Sequence, residues 1–126
     1  MRYYITGHRD LSKEEFNRIY LPKIDDIIRE DSNALFLVGT CEGVDLYTRQ
    51  YLTKYNIRFQ IYGPHHGMDL SNTFTQVYFF PSYEDAAKEM IKKSDITIGF
   101  IKPGRESSFT ALNILKRYTI TNLKFK

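Results

Sequence analysis

Three short stretches of this chain set glycine beside polar and charged side chains. They are Thr6-Gly7-His8-Arg9-Asp10, Gly39-Thr40-Cys41-Glu42-Gly43-Val44-Asp45, and a third running from Lys102 through Pro103, Gly104, Arg105, Glu106, Ser107, Ser108 and Phe109 to Thr110. The chemistry that suits the third stretch is anion binding. Gly104 permits close backbone approach, and Ser107 or Ser108 can cap a following helix. The first N–H groups of that helix lack internal partners, and with the helix dipole they favour a negative charge. Thr110 adds a hydroxyl, and Arg105 offers a mobile charge or a bidentate clamp. The competing reading is a plain turn followed by a serine cap.

The second stretch follows the same logic, with two glycines bracketing a turn before a helix that begins at about Val44. Glu42 and Asp45 could accept hydrogen bonds from ribose hydroxyls or a substrate amine. They suit equally well as helix-start carboxylates stabilised by the dipole. Cys41 reads as a small buried residue. In the first stretch Arg9 can face a phosphate and Asp10 can cap a helix. His8 is open to use as a ligand, as an acid–base group or as an ordinary surface histidine. Neither the G-x-x-x-x-G-K-[ST] phosphate loop nor the G-x-G-x-x-G dinucleotide fingerprint is present, which removes support for ATPase and ordinary NAD-binding chemistry. His65 and His66 are adjacent, with no spaced cysteine or third histidine beside them. Zinc sites are built otherwise, so neither a metal nor a cofactor is expected.

Elements of alternating type must position these loops. Arg2 to Thr6 reads as a first strand. Ser12 with Glu15 makes a capping box that opens a helix running to about Glu30, with a kink or an irregular turn expected at Pro22. Ala34 to Val38 is a continuous apolar run, as a strand buried on both faces requires. Val44, Leu46, Tyr47, Tyr51 and Leu52 then fall at helical spacing, and Ile57 to Tyr62 alternates as a third strand. A long irregular segment follows that is either a functional loop or hides a short strand over Thr75 to Phe80. Ser82 and Asp85 mark a helix start, Asp95 to Ile101 reads as the fourth strand, Ser107 to Tyr118 as the last helix, and Ile120 to Phe125 as a fifth strand. The expected architecture is a single α/β domain over residues 1–126, Rossmann-like and three-layered. Its mainly parallel five-stranded sheet takes the order 3-2-1-4-5. In such sheets ligands bind beyond the carboxyl ends of the strands, where strand order reverses, and all three glycine-polar stretches follow strands.

Composition narrows the function classes. The net charge is +3, with 18 basic residues spread among 15 acids. A nucleic-acid binder would concentrate its positive charge on one face, so nucleic acid is an unexpected partner. With 26% charged residues and no run of eighteen apolar ones, a membrane span is not expected either. The single Cys41 cannot form an intramolecular disulfide, and the start of the chain shows no secretory pattern, so the expected compartment is the cytosol. Self-association is left open.

The ordered set Ile5 to Asp10, Val38 to Leu52, Tyr83 to Asp95 and Pro103 to Leu115 resembles the SLOG superfamily. That is the Rossmann-like group that includes the DprA and LOG (cytokinin-activating) proteins, and the similarity is greatest to its small single-domain branch. The resemblance implies a pocket for a nucleotide or nucleotide-derived ligand. It assigns Gly7 and Arg9 to the first family motif, Gly39, Gly43 and Asp45 to the second, and Ser108 and Thr110 to the third. Phe109 stands where the family's S-G-T-like loop carries glycine, which sets an aromatic ring at the phosphate pocket, and Glu84 stands where such proteins often carry arginine. The acid that the related base-releasing hydrolases place in the last helix's first turn is missing from Ser107 to Asn113. Binding that senses, sequesters or presents a nucleotide-derived molecule is therefore the leading expectation. The alternative is a nucleoside-monophosphate N-glycosidase using Glu42, Asp45 or Glu106, and a third reading is an interaction protein whose pocket Phe109 fills.

Overall fold

The structure, a computed structural model, describes residues 1–64 and 75–105 together with the backbone of residues 121–122. Strand β1 (Arg2–Ile5) is followed by α1 (Lys13–Ile19), α2 (Leu21–Glu30), β2 (Leu35–Val38), α3 (Val44–Lys54), β3 (Phe59–Gly63) and β4 (Gln76–Phe79). Then come α4 (Tyr83–Lys93), β5 (Ile96–Gly99) and β6 (Thr121–Asn122). The strands form one sheet in the order β4-β3-β2-β1-β5-β6, and every pairing is parallel. The five strands expected from the sequence are β1, β2, β3, β5 and β6, in the expected order. The short strand suspected near Tyr78 is β4, a further strand beyond β3. The expected last helix, over residues 107–118, lies outside the described residues.

Alternation along the strands divides the core in two. Tyr3, Ile5, Phe36, Val38, Ile61 and Ile98 point to one face, where Phe16, Ile24, Ile27 and Leu52 of α1, α2 and α3 cover them. Tyr4, Leu37 and Tyr62 point to the other, beneath Ala86 and Met90 of α4. Helices on both faces of a parallel sheet make the three-layer Rossmann-like arrangement.

The disturbance expected near Pro22, a kink or an irregular turn, is an interruption of the helix. It ends at Ile19 and restarts at Leu21, so Pro22 falls in the first turn of α2, where its missing N–H leaves no intrahelical bond unmade. The Ser12–Glu15 capping box is present, each residue's side chain accepting from the other's backbone N–H at 3.1 Å. Asp10, expected as a cap, is displaced from that role by Ser12 and pairs elsewhere.

The interruption leaves Tyr20 buried between the helices, with its hydroxyl under the sheet edge. That hydroxyl donates to the Thr6 carbonyl at 2.8 Å and accepts from the Phe100 N–H at 2.8 Å, joining the ends of the adjacent strands β1 and β5. Tyr20→Phe keeps the ring and strands both backbone groups. It is expected to lower the unfolding free energy by about 2 kcal/mol, read as a shifted urea midpoint with an unchanged slope.

Candidate functional site

Register sets the loops side by side. Ile5 lies level with Val38 on one side and Ile98 on the other, so the segments after β1, β2 and β5 leave the sheet at one edge. Strand order reverses between β1 and β5, the position at which parallel sheets open a crevice.

The segments after β1 and β5 are tied together by side chains. His8 is buried, not at the surface, and its Nε2 accepts from the Lys102 N–H at 2.9 Å. Asp10 pairs with Arg105 at 2.6 Å and with Lys102 at 3.4 Å. The Arg105 hydrogen bond is the main influence drawing the Asp10 carboxyl down to about 2. Burial, reinforced by Arg105 and Lys102 and opposed by Asp10, lowers the His8 pKa from its ordinary 6.5. The unfolded chain therefore takes up the proton first. Stability from this contact is full above pH 6.5 and is lost as pH falls through the depressed native value. Titration followed by NMR is expected to show the His8 ring midpoint below 6.5, with the Lys102 amide shift moving alongside it.

The segment after β2 is built around Asp45. Gly43 caps α3 with φ +67°, and its Cα faces the backbone carbonyls of His8 and Arg9. Asp45, in the first turn of α3, reaches back so that Oδ2 accepts from the Cys41 N–H at 3.2 Å. The same oxygen occupies the space that a Cβ on residue 39 would need, which makes Gly39 obligatory while Asp45 stands there. Arg49, one helical turn further on, donates to the carbonyls of Gly39 at 2.6 Å and Cys41 at 3.1 Å and fixes the loop from beneath. Burial pushes Asp45 up to about 6, against the opposing pull of Arg49, the Cys41 N–H and Arg9. Burial and the nearby Asp45 push the Cys41 thiol up to about 12, so it stays protonated and is no nucleophile at neutral pH.

Between this sheet edge and the start of α4 lies a cavity of about 430 Å³. Of the residues singled out from sequence, Gly7, His8, Arg9, Gly39, Asp45 and Arg105 line it. Cys41 lines it as well, half-buried where full burial was expected. The Arg9 guanidinium sits over the Tyr83 ring, 4.8 Å from its centroid. Thr40, Glu42, Gly43 and Gly104 are not part of the lining. Thr40 is packed against Gly63, Glu42 is exposed, and Gly43 lies beneath the β1 segment. Gly104 has φ +82°, and a Cβ there would meet no atom of the described residues within 4 Å. Glu106, Ser107, Ser108, Phe109 and Thr110, like His65 and His66, lie outside the described residues.

Sequence reasoning passed over the other half of the lining: Tyr4, Thr6, Tyr62 and Tyr83, with Ala86, Ala87 and Met90. Strand alternation held the signal for Tyr4 and Thr6, which fall on the face opposite Tyr3 and Ile5. The apolar stripe of Ala86, Ala87 and Met90 held the signal for the face of α4 that borders the cavity. Among the described residues no group of His, Cys, Asp and Glu is arranged to hold a metal ion, and no helix is long and apolar enough to cross a membrane.

Fold and site together define a parallel α/β domain with a ligand-sized cavity at its switch point. Compared with family models, with curated proteins and with solved structures, the chain finds no match.

Proposed function

We propose that this chain is a small SLOG-like protein that binds a nucleotide or nucleotide-derived molecule in the cavity at the carboxyl edge of its sheet. The observation that carries the reading is the make-up of the cavity wall, which brings the guanidinium groups of Arg9 and Arg105 together with the buried Asp45 and the Tyr83 ring. Guanidinium groups suit an anion, a carboxylate suits the hydroxyls of a sugar, and an aromatic ring suits a base. A cytosolic setting belongs to the same reading, supported by the lone unpaired Cys41.

Calorimetry tests it. Adenosine 5′-monophosphate is expected to bind at least tenfold more tightly than adenosine, with the difference shrinking as salt is raised. Mass spectrometry of protein purified under mild conditions is expected to find a phosphorylated nucleoside derivative. Equal affinity for adenosine and its monophosphate would remove the arginines from the phosphate role. No binding by any nucleotide at millimolar concentration would sink the reading.

A second reading, hydrolysis of a nucleoside monophosphate to free base, is favoured by one observation. The Asp45 carboxyl is held at about 6, in the range useful for proton transfer near neutral pH. Base release also needs a second group that assists the leaving base, and Glu42 is exposed and off the cavity wall. The expected result is binding without efficient turnover. Chromatography of incubated nucleoside monophosphates would reverse the order of the two readings if free base accumulated over many turnovers and stopped in Asp45→Asn.

A further inference from the structure

The segment after β5 carries one residue of the cavity wall, Arg105, and closes as a turn. The Arg105 N–H donates to the Lys102 carbonyl at 3.0 Å, with Pro103 and Gly104 between them and Gly104 at φ +82°. Proline and then a positive-φ glycine at the two central positions match a type II turn, in which proline fixes its own φ. The contacts that hold the Lys102 backbone therefore also set Arg105, three residues on. One set is the pairing of Asp10 with Lys102 and Arg105. The Asp10 and Arg105 side chains are about half-exposed, and ion pairs in that setting contribute little. The other contact is buried: the His8 ring accepts from the Lys102 N–H at 2.9 Å. Away from water that bond is stronger, and leaving its donor unmatched costs more.

The bond requires a neutral ring. With Nε2 accepting, the single ring hydrogen is on Nδ1. A second proton would go to Nε2 and set donor against donor at the Lys102 N–H. Arg105 and Lys102 on the facing segment oppose a positive ring, while Asp10 on its own segment favours one. Arg9 and, from α3, Asp45 share the cavity wall with it. We infer that His8 is a positioning residue: its neutral imidazole holds the Lys102 N–H, sets Arg105 on the cavity wall through the turn, and withdraws that arginine from the anionic end of the ligand when it takes up a proton. The inference rests on the nucleotide-binding reading above and adds to it a proton-dependent affinity, imposed by a side chain that need not touch the ligand.

The experiment measures adenosine monophosphate affinity by calorimetry from pH 7.5 to pH 5, in the wild type and in His8→Gln, with the wild-type ring followed by NMR over the same range. Glutamine keeps an acceptor near the position of Nε2 and does not titrate. The ligand phosphate, with a second pKa of about 6, and Asp45 titrate as well, but they do so in both proteins and cancel in the comparison. Wild-type affinity is expected to fall about tenfold or more beyond the fall in His8→Gln, the contribution of one charge-assisted contact, centred on the midpoint of the ring. Parallel profiles in the two proteins would overturn the inference. So would an extra gain in wild-type affinity on acidification, which would put the imidazolium itself on the phosphate, or a ring that stays neutral until acid unfolds the protein. Should His8→Gln not fold, Arg105→Ala supplies the comparison. The advantage of the wild type over it should disappear as the ring takes up its proton, and an advantage that persists would overturn the inference. Absence of binding in the wild type at pH 7.5 would remove the nucleotide reading and this inference with it, whereas binding with parallel profiles leaves that reading standing.

Discussion

Asp45→Asn is expected to make the protein more stable at neutral pH and a poorer binder. Burial lifts the carboxyl from 3.8 in its ordinary setting to about 6 in the native state, so the folded protein holds this proton more tightly than the unfolded chain does. Stability drawn from that proton is fully present below the unfolded value and is lost as pH rises through the native one. At pH 7.5 the wild type therefore carries a buried charge that it would be more stable without, at a cost of roughly 3 kcal/mol. Asparagine keeps the size and the acceptor for the Cys41 N–H, and Arg49 keeps its bonds to the carbonyls of Gly39 and Cys41. Thermal or urea unfolding at pH 7.5 should show a gain of about 1–3 kcal/mol that declines toward zero by pH 4. Affinity for adenosine monophosphate should fall about tenfold or more, since hydrogen bonds to a charged group contribute about 1.5–3 kcal/mol. The opposite pair of results, lost stability with unchanged affinity, would make Asp45 a brace for the loop and nothing more.

That trade between stability and binding also marks how far the sequence could be read. The order of strands and helices was legible because the alternating and helical hydrophobic patterns follow directly from which faces are buried. The turns after β1 and β2, and the described start of the one after β5, were legible because glycine beside polar residues ends each apolar run. Local signals could not tell which loop residues face the cavity. Glu42 and Asp45 lie three residues apart in one turn, yet only Asp45 is turned inward, where Arg49 and the Cys41 N–H meet it. His8 looked like a surface residue because its partner, the Lys102 N–H, is 94 positions away. The apolar half of the cavity escaped notice for a related reason. Tyr4, Tyr62, Ala86 and Met90 are what any core under a helix would contain, and only the packing of α4 on the sheet shows that they also border the cavity. The break at Tyr20 was legible only as a kink or an irregular turn near Pro22, because proline marks a disturbance without saying whether the helix bends through it or restarts at it.

Two glycines separate the needs of the fold from those of the ligand. At Gly43 the backbone has φ +67°, a conformation that side chains on L residues disfavour, and a Cβ would stand far inside contact distance of the Arg9 and His8 carbonyls. The colliding atoms are backbone, so no rotamer change relieves them, and the Val44 N–H to His8 carbonyl bond of 3.3 Å lies in the same contact. Gly43→Ala is expected to cost about 4 kcal/mol or more, combining strained dihedrals with forced separation of two packed segments. Against a typical stability of about 5–15 kcal/mol, that is enough for much of the protein to unfold at 37 °C. Gly104, at φ +82°, carries the same kind of dihedral strain, but a Cβ there meets no atom of the described residues within 4 Å. Gly104→Ala should therefore cost only about 1–2 kcal/mol of stability. The loop that holds it is pinned by Lys102 and Arg105 to Asp10, and its Arg105 lines the cavity, so the proposed phosphate contact depends on how this loop sets Arg105. Its binding defect should be the larger effect, at least tenfold for adenosine monophosphate. Unfolding curves and calorimetry on the two variants make the comparison. A Gly104→Ala protein that binds within twofold of wild type would move the phosphate away from this loop, and a Gly43→Ala protein as stable as wild type would refute the packing described for the start of α3.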